Sequence, residues 1–389
     1  MKNSFSHVST LTKLTLLLVA MTTMMSNVAI ITALPHLKDY FTDVENIEFL
    51  ARMMITLPSL AIAILAPFLG HVIHKFGKYK SAIVALLFFA IFGSAGLYLS
   101  ELNMILLSRF LLGISIATLM IVSTSLIGDY FSGEARHKFM GMQSAFISLG
   151  GVVFVLGGGI LTDIDWRYSF AIYLIGFILI PFVVMFLKEK DTTKVEELDI
   201  DFNTSLLSIY ILAFILMVLF YTLPTQMPFL MINQFGASST LTGAIISLAF
   251  VSHGLGALSF SKLKKRYSFQ KIYLIGMAII SFGFIAIGLV NNVYLFFITS
   301  PIVGFGGGIL MTNISAWMLS RAHHTKRVKS SGYLTSSLFL GQFFSPIVFH
   351  PIVSYFGVQK FFIVVGVFLV LAIISIYLLS KSRTIKLKN

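Results

Sequence analysis

The sequence predicts an all-α polytopic membrane protein, with twelve transmembrane helices arranged as two pseudo-symmetric six-helix bundles. Three observations carry that prediction. The 389 residues are 57% hydrophobic and only 11% charged, with a mean hydropathy of +0.93. A water-soluble domain carries about 25% charged residues, so this chain cannot coat a soluble surface of its size. Twelve apolar runs are present, and at ~20 residues each they would use about 240 residues, close to the apolar share of the chain. Six runs precede the one substantial polar segment and six follow it. Cytosolic enzymes, secreted modules and nucleic-acid binders are excluded. The absence of cysteine removes disulfides, thiolate metal sites and cysteine nucleophiles.

The runs fall at 12–34, 49–73, 81–99, 104–128, 140–162 and 167–187, then at 205–230, 238–260, 272–291, 293–319, 331–354 and 360–380. The first follows a short basic start, as in a leader peptide. It is long enough to span and no small-residue cleavage site follows, so it reads as the first helix. Proline and glycine inside several runs are compatible with spanning helices, because neighbouring helices can satisfy the freed backbone groups.

Basic residues set the expected orientation. With the N-terminus inside, 23 of the 28 Lys and Arg residues fall on the inner side, including Lys75, Lys78, Lys80, Arg136, Lys138, Lys264, Arg266 and Lys329. Lys38, Arg167 and Lys360 fall outside, and Arg52 and Arg109 lie within predicted helices. The net charge of +13 is therefore mostly a topology signal. It places both termini in the cytoplasm; the expected location is a bacterial cytoplasmic membrane.

The polar segment 188–204 holds six acidic and three basic residues. It reads as a cytoplasmic linker between an N-terminal bundle, 1–187, and a C-terminal bundle, 205–389. The halves repeat. At an offset of 191 residues Gly113 matches Gly304, Arg136 matches Arg327, Gly141 matches Gly332, Gly150 matches Gly341, and Phe170 continues to Phe361. At an offset of 186, Gly70 corresponds to Gly256. Two parallel repeats imply a pseudo-two-fold axis along the membrane normal and a substrate site between the halves near midplane.

Between the second and third runs, GHVIHKFGKYK resembles the Gly-x-x-x-Asp-Arg-x-Gly-Arg-Arg loop of the major facilitator superfamily. Gly70 and Gly77 fit, Lys75, Lys78 and Lys80 supply the cations, and His74 stands where that family has Asp. RFLLGISIA places Arg109 and Gly113 as in the family's Arg-x-x-x-Gly motif. The segments GEARHKFMG and TDIDWRYSF also look like the superfamily. SLGGVVFVLGGG in the fifth run is similar to the glycine-rich motif of its exporters, without their Gly-Pro step; the repeat-equivalent proline is Pro346. The resemblance covers nearly the whole chain and implies alternating access with Gly70, His74, Lys75 and Gly77 as a gating loop. Among subfamilies it is nearest to twelve-helix drug:proton antiporters and exporters of siderophores and metallophores.

Ionisable groups inside a membrane helix are costly and usually face a cavity or a partner. Arg52 and Arg109 are thus expected to anchor an anionic substrate in the outer half of the N-terminal bundle, with Arg52 alternating between Glu48 and cargo. Asn27, Gln143, Tyr221, Gln226, Asn313 and Gln342 are neutral polar candidates for the same cavity, with Trp317 beside them. No carboxylate falls mid-helix, which points to a carboxylate-bearing rather than a cationic cargo. Glu48, His253 and His350 are candidates for proton coupling, histidine because it titrates near neutral pH.

Other motifs carry less. Gly304-x-Gly306-Gly307-Gly308 lies inside an apolar run without a preceding strand, so helix packing explains it better than phosphate binding. The pairs His71/His74 and His323/His324 lack nearby carboxylates or thiolates, and no metal site is expected. No Gly-Lys-Ser/Thr phosphate loop is present.

The expected function is proton-coupled export of a small carboxylate-bearing metabolite of metallophore or siderophore type. Multidrug efflux of lipophilic cations and import of an anionic nutrient stand as alternatives. The partners implied are a small-molecule substrate, the bilayer and protons. No enzyme activity, cofactor, metal or nucleic acid is implied, and the chain is expected to act as a monomer. Arg109→Ala is expected to abolish transport while leaving the protein folded.

Overall fold

A computed structural model describes residues 8–188, 206–322 and 327–386. The linker beyond Lys188, His323, His324 and the side chain of Asn27 lie outside the described residues. Among the described residues, twelve helices of at least a dozen residues follow one another. The first six are α1 (Thr10–Val28), α2 (Ile47–Phe76), α3 (Lys78–Gly93), α4 (Leu102–Tyr130), α5 (Gly133–Ile164) and α6 (Ile175–Phe186). The next are α7 (Leu207–Phe220), α8 (Ser239–Lys264), α9 (Phe269–Leu289), α10 (Phe296–Arg321), α11 (Arg327–Phe356) and α12 (Val358–Lys386). Eleven helical stretches are long and apolar enough to cross a bilayer, and Thr10–Met25 is a shorter apolar helix. Because the helices alternate in direction, the start of α1 and the end of α12 share one end of the bundle, called here the terminus side.

Local chemistry sets the helix ends. Ser9, Ser238 and Ser268 cap α1, α8 and α9 by accepting the backbone N–H three residues on. Gly77, with φ +87°, makes the reversal from α2 to α3, in a region an L side chain enters only under strain. Two runs expected as single helices are interrupted. The first stops at Val28 and continues as a 3₁₀ segment, Ile31–His36, around Pro35. The seventh breaks at Tyr221, continues as Thr222–Pro228, and widens to a π-helical turn over Phe229–Gln234. Proline lacks the N–H that an uninterrupted α-helix needs. The fifth begins at Gly133 rather than 140, since the charged GEARHK turn is helical despite its low hydropathy.

The repeat seen in the sequence reappears as repeated packing. A methyl group added at Gly113 in α4 would collide with the Pro58 carbonyl of α2, and one at Gly304 in α10 would collide with the Ala249 carbonyl of α8. Gly150 likewise brings α5 onto Met21 of α1, and Gly341 brings α11 onto the Phe214 carbonyl of α7. Without a hydrophobic drive between helices in lipid, such close backbone approaches supply much of the packing energy. Gly70 breaks the pattern: nothing lies within 4 Å of its added methyl, whereas Gly256 meets the Phe305 backbone.

The halves meet chiefly through α5 against α8 and α2 against α11. Ser247 donates to the Val152 carbonyl at 3.1 Å, Ser59 to Gln342 Oε1 at 2.8 Å and Ser336 to the Ala63 carbonyl at 3.2 Å. Further links lie on the far side, opposite the termini. Toward the terminus side α5 and α8 diverge: Leu149 is exposed, as are Leu255 and Leu258, the last at 75%. Along α5 and α8 the seam is bonded on the far side and exposed toward the termini, while α2 and α11 stay linked through Ser336 and Ala63.

Candidate functional site

The far-side seal is built from polar side chains on a backbone that helix geometry leaves half-satisfied. The first N–H groups of a helix have no partner within it. At the start of α8, Leu241 N–H finds Ser238 Oγ at 3.1 Å. Ser239 and Thr240 N–H instead donate across the seam to Asp163 Oδ1 and Oδ2 at 2.7 and 2.9 Å. His36 Nε2 lies 2.9 Å from Ser239 Oγ. Asp163 therefore caps a helix of the other half, with its charge at the positive end of that helix. Sequence reasoning passed over Asp163 and His36. The available signal was an acid ending one apolar run and a Ser-Ser-Thr sequence opening another in the opposite half.

Arg52 is the second element of the seal. It is 2% exposed, its Nε donates to Gln226 Oε1 of the other half at 3.0 Å, and its guanidinium lies 4.0 Å from the centre of the Phe229 ring. Its Nη2 is 3.6 Å from Glu48 Oε2, too far for a hydrogen bond, and has no hydrogen-bond partner. Glu48 also forms an ion pair with Lys38, at 3.3 Å, so its carboxylate is shared between the two cations. Beyond Arg52, on the far side, lies a cavity of about 480 Å³. His350 borders it, its ring 4.7 Å from that of Phe49 across the seam. The structure thus brings Arg52, Glu48, Gln226 and His350 together.

Arg109 sits elsewhere. It is 0% exposed inside the N-terminal bundle, donating to the carbonyls of Met54 and Gly93, both at 3.3 Å, and to Tyr173 Oη at 2.7 Å. Tyr173 in turn donates to the Met25 carbonyl at 3.0 Å. The guanidinium also faces the Tyr173 and Phe170 rings at 4.8 and 5.7 Å. Arg109, expected to anchor substrate, here has its fork bracing α4 against α2, α3 and, through Tyr173 just before α6, α1. Asn313 is a further candidate from the sequence. It is fully buried in the C-terminal bundle, donating to the Phe269 carbonyl at 3.1 Å beside a parallel Phe269–Trp317 stack.

Of the other polar candidates, Gln342 bonds across the seam and Gln143 and His253 make their contacts within their own halves. Gln342 accepts from Ser59, and half-buried Gln143 donates to Ser123 Oγ at 3.2 Å. Tyr221 is buried at the break in α7 with an unpartnered hydroxyl. His253 is half-buried, its ring 5.4 Å from that of Phe220. Around them the surface is apolar and soft, with Met21 and Met24 of α1 against Gly150 and Gly151, and Phe250 facing Gly151 from α8.

At the terminus side, His74 and Lys75 are exposed, Gly70 is uncrowded and Gly77 makes its turn. Asp129 at the end of α4 pairs with Lys78 at 2.7 Å, both side chains largely buried.

The chain is 25% identical over 321 residues to the tetracycline resistance protein, class B, of Escherichia coli, covering 79% of this chain and 80% of that one. It is 26% identical over 269 residues to multidrug resistance protein 2 of Bacillus subtilis, covering 64% and 63%. Among solved structures it resembles a bacterial homologue of the human lysosomal transporter Spinster in an inward-facing, unoccupied conformation. The TM-score is 0.80 at 15% identity, with 98% of each chain covered. A D-xylose–proton symporter superposes with a TM-score of 0.70 at 13% identity over 92% and 96%. At these identities the two structures speak for the fold alone. The Major Facilitator Superfamily description matches twice in succession, over residues 16–209 and 209–389. The chain therefore belongs to the Major Facilitator Superfamily and is a multi-pass membrane transporter, not an enzyme.

Proposed function

We propose that the protein exports small amphipathic molecules bearing an acidic group across a bacterial cytoplasmic membrane, by alternating access coupled to protons. The observation that carries this reading is Arg52, a guanidinium 2% exposed at the seam and held to the opposite half by a neutral amide at 3.0 Å. A buried charge that is incompletely partnered strongly favours an arriving anion. Cargo enters from the terminus side, rests against the Met and Phe lining with Gln143, Gln342 and His253 nearby, and presents its acid to Arg52. Breaking the Arg52–Gln226 bond then frees the far side to open. Flexible, polarisable Met and Phe linings suit cargoes of variable shape. The drug-resistance names of the relatives support export.

The narrowest form of this cargo class is a carboxylate-rich chelator of metallophore or siderophore type, with any metal as part of the cargo. Glu48, His253 and His350 are the proposed carriers of the coupling proton, and the working unit is a monomer with both termini in the cytoplasm. The gating role of Gly70, His74, Lys75 and Gly77, joined by Lys78 and Asp129, belongs to the same proposal. Efflux of lipophilic cations is the second reading, favoured by the multidrug names of the relatives.

Everted vesicles energised by respiration decide between them. Accumulation of an aromatic carboxylate that stops with Arg52→Gln supports the first reading. Accumulation of a cationic dye that is indifferent to Arg52→Gln but lost with Glu48→Gln establishes the second. Metabolite profiles of metal-limited cells with and without the protein then test the chelator.

A further inference from the structure

The cavity beyond Arg52 opens away from the terminus-side cleft and stays formed while the seam there is sealed. We propose that it is a separate far-side binding site for a small aromatic or amphipathic anion, and that an anion bound there holds the two halves together. For its consequence in transport the inference rests on the alternating-access reading above; the binding itself does not.

Four features support it. The cavity, about 480 Å³, is the size of sites that enclose drug-sized ligands. Its polar lining includes two cations, Lys38 and Arg52, with Asn233 and His350, against one carboxylate, Glu48. Arg52 lines it and is 2% exposed; its buried Nη2 has no hydrogen-bond partner, and only Glu48 Oε2, 3.6 Å away, separates that donor's charge from the cavity rim. Finally, the rings of Phe49, Phe229 and His350 border the same space and offer an aromatic body apolar contact.

Glu48 is the internal competitor. It lies at the rim, 35% exposed by side chain, and divides itself between Lys38 at 3.3 Å and Arg52 at 3.6 Å. A ligand carboxylate or sulfonate that displaces it gains a hydrogen bond to Nη2 that Glu48 does not make. The occupant also touches both halves: Lys38, Glu48 and Arg52 belong to the first, and Phe229, Asn233 and His350 to the second. A ligand held by both can bind only while they are together, so it selects the far-side-closed state. Released product, or any anion of similar shape outside, would thereby inhibit the carrier from the far side.

The probe is naphthalene-2-sulfonate, an aromatic anion charged at all working pH values and unable to cross the bilayer. Its binding to the purified full-length protein is measured by calorimetry. The wild type is expected to bind it, Arg52→Gln to weaken binding at least tenfold, and Lys38→Gln, an exposed change that spares the fold, to weaken it two- to fivefold. Glu48→Gln is expected to tighten binding several-fold, an effect that a merely structural role for Glu48 would not produce. Failure of the wild type to bind overturns the proposal, as does wild-type affinity in both cation variants, or weaker binding in Glu48→Gln. In proteoliposomes, inhibition by the probe on the far side alone supports the site, and inhibition from the terminus side alone refutes it. Binding with this variant pattern in a protein that moves no anion would leave the site standing and remove only the anionic-cargo reading.

Discussion

Replacing Asp163 with Ala should shift the carrier toward its far-side-open state. The carboxylate accepts at 2.7 and 2.9 Å from the first two N–H groups of α8, and these bonds exist only while the halves touch. Hydrogen bonds to a charged group contribute about 1.5–3 kcal/mol each when buried. Asp163 is exposed, so the better guide is the loss of a helix cap, about 0.5–2 kcal/mol. A central value of about 1.4 kcal/mol is a tenfold change in the ratio of closed to open. The His36–Ser239 contact survives the substitution, so closure is weakened rather than abolished. Ser238→Ala is the control. It removes a cap of the same helix, but one supplied from within, which destabilises α8 equally in both states. Because the chain has no cysteine, spin labels go only where they are introduced. The exposed pair Ile164 and Tyr294 reports the far side, and Phe76 with Leu258 reports the terminus side. Electron–electron distance distributions should show the long far-side distance gaining about tenfold in ratio in Asp163→Ala and staying put in Ser238→Ala. Equal distributions in Asp163→Ala and wild type, or equal shifts in both variants, would refute the argument.

Arg109→Ala should fail by loss of folded protein rather than by loss of transport alone, because it takes the guanidinium donors from the Met54 and Gly93 carbonyls and from the Tyr173 hydroxyl, which keeps only its bond to Met25. Unpaired buried groups cost about 1–3 kcal/mol each in water-soluble proteins, but membrane hydrogen bonds average nearer 0.6 kcal/mol. A total of about 2–4 kcal/mol is expected, read as a lower thermal midpoint in detergent. An unchanged midpoint with lost transport would return Arg109 to the cavity. Gly113→Ala and Gly304→Ala should both lower the same midpoint, since each new methyl meets a carbonyl. Gly70→Ala and Gly332→Ala, with nothing within 4 Å, should leave it unchanged.

Much of the fold was legible in the chain because its determinants are local or repeated. Apolar length places a helix across a bilayer whatever its neighbours are, and basic loops set its expected direction. The 191-residue glycine register pointed to two equivalent halves, and those glycines mark the equivalent crossings α2–α4 with α8–α10, and α1–α5 with α7–α11. The proline breaks in the first and seventh runs changed the path of the helices without changing their number.

The site divided differently. Arg52 and Arg109 occupy similar depths in similar apolar runs, and Met54, which accepts from Arg109, is only two residues from Arg52. Nonetheless one side chain donates across the seam, while the other donates to Met54, Gly93 and Tyr173 of its own bundle. Each residue turns the helix by 100°, so the direction of a side chain depends on how the whole helix is rotated against its neighbours. That rotation is fixed by contacts distant in sequence: Gly113 against Pro58 orients Arg109 toward α2 and α3, and α2 against α11 presents Arg52 to Gln226. Asp163 makes the same point, since an acid at the end of a helix reads as an ordinary solvated terminus until another helix begins beside it. The sequence by itself determined what enters the membrane, how many times, and that two halves repeat, because transfer into lipid depends on local composition. Which charge faces the seam and which helix end it caps were decided only by tertiary packing, because directional bonds depend on the relative rotation of helices and no local stretch of chain encodes it.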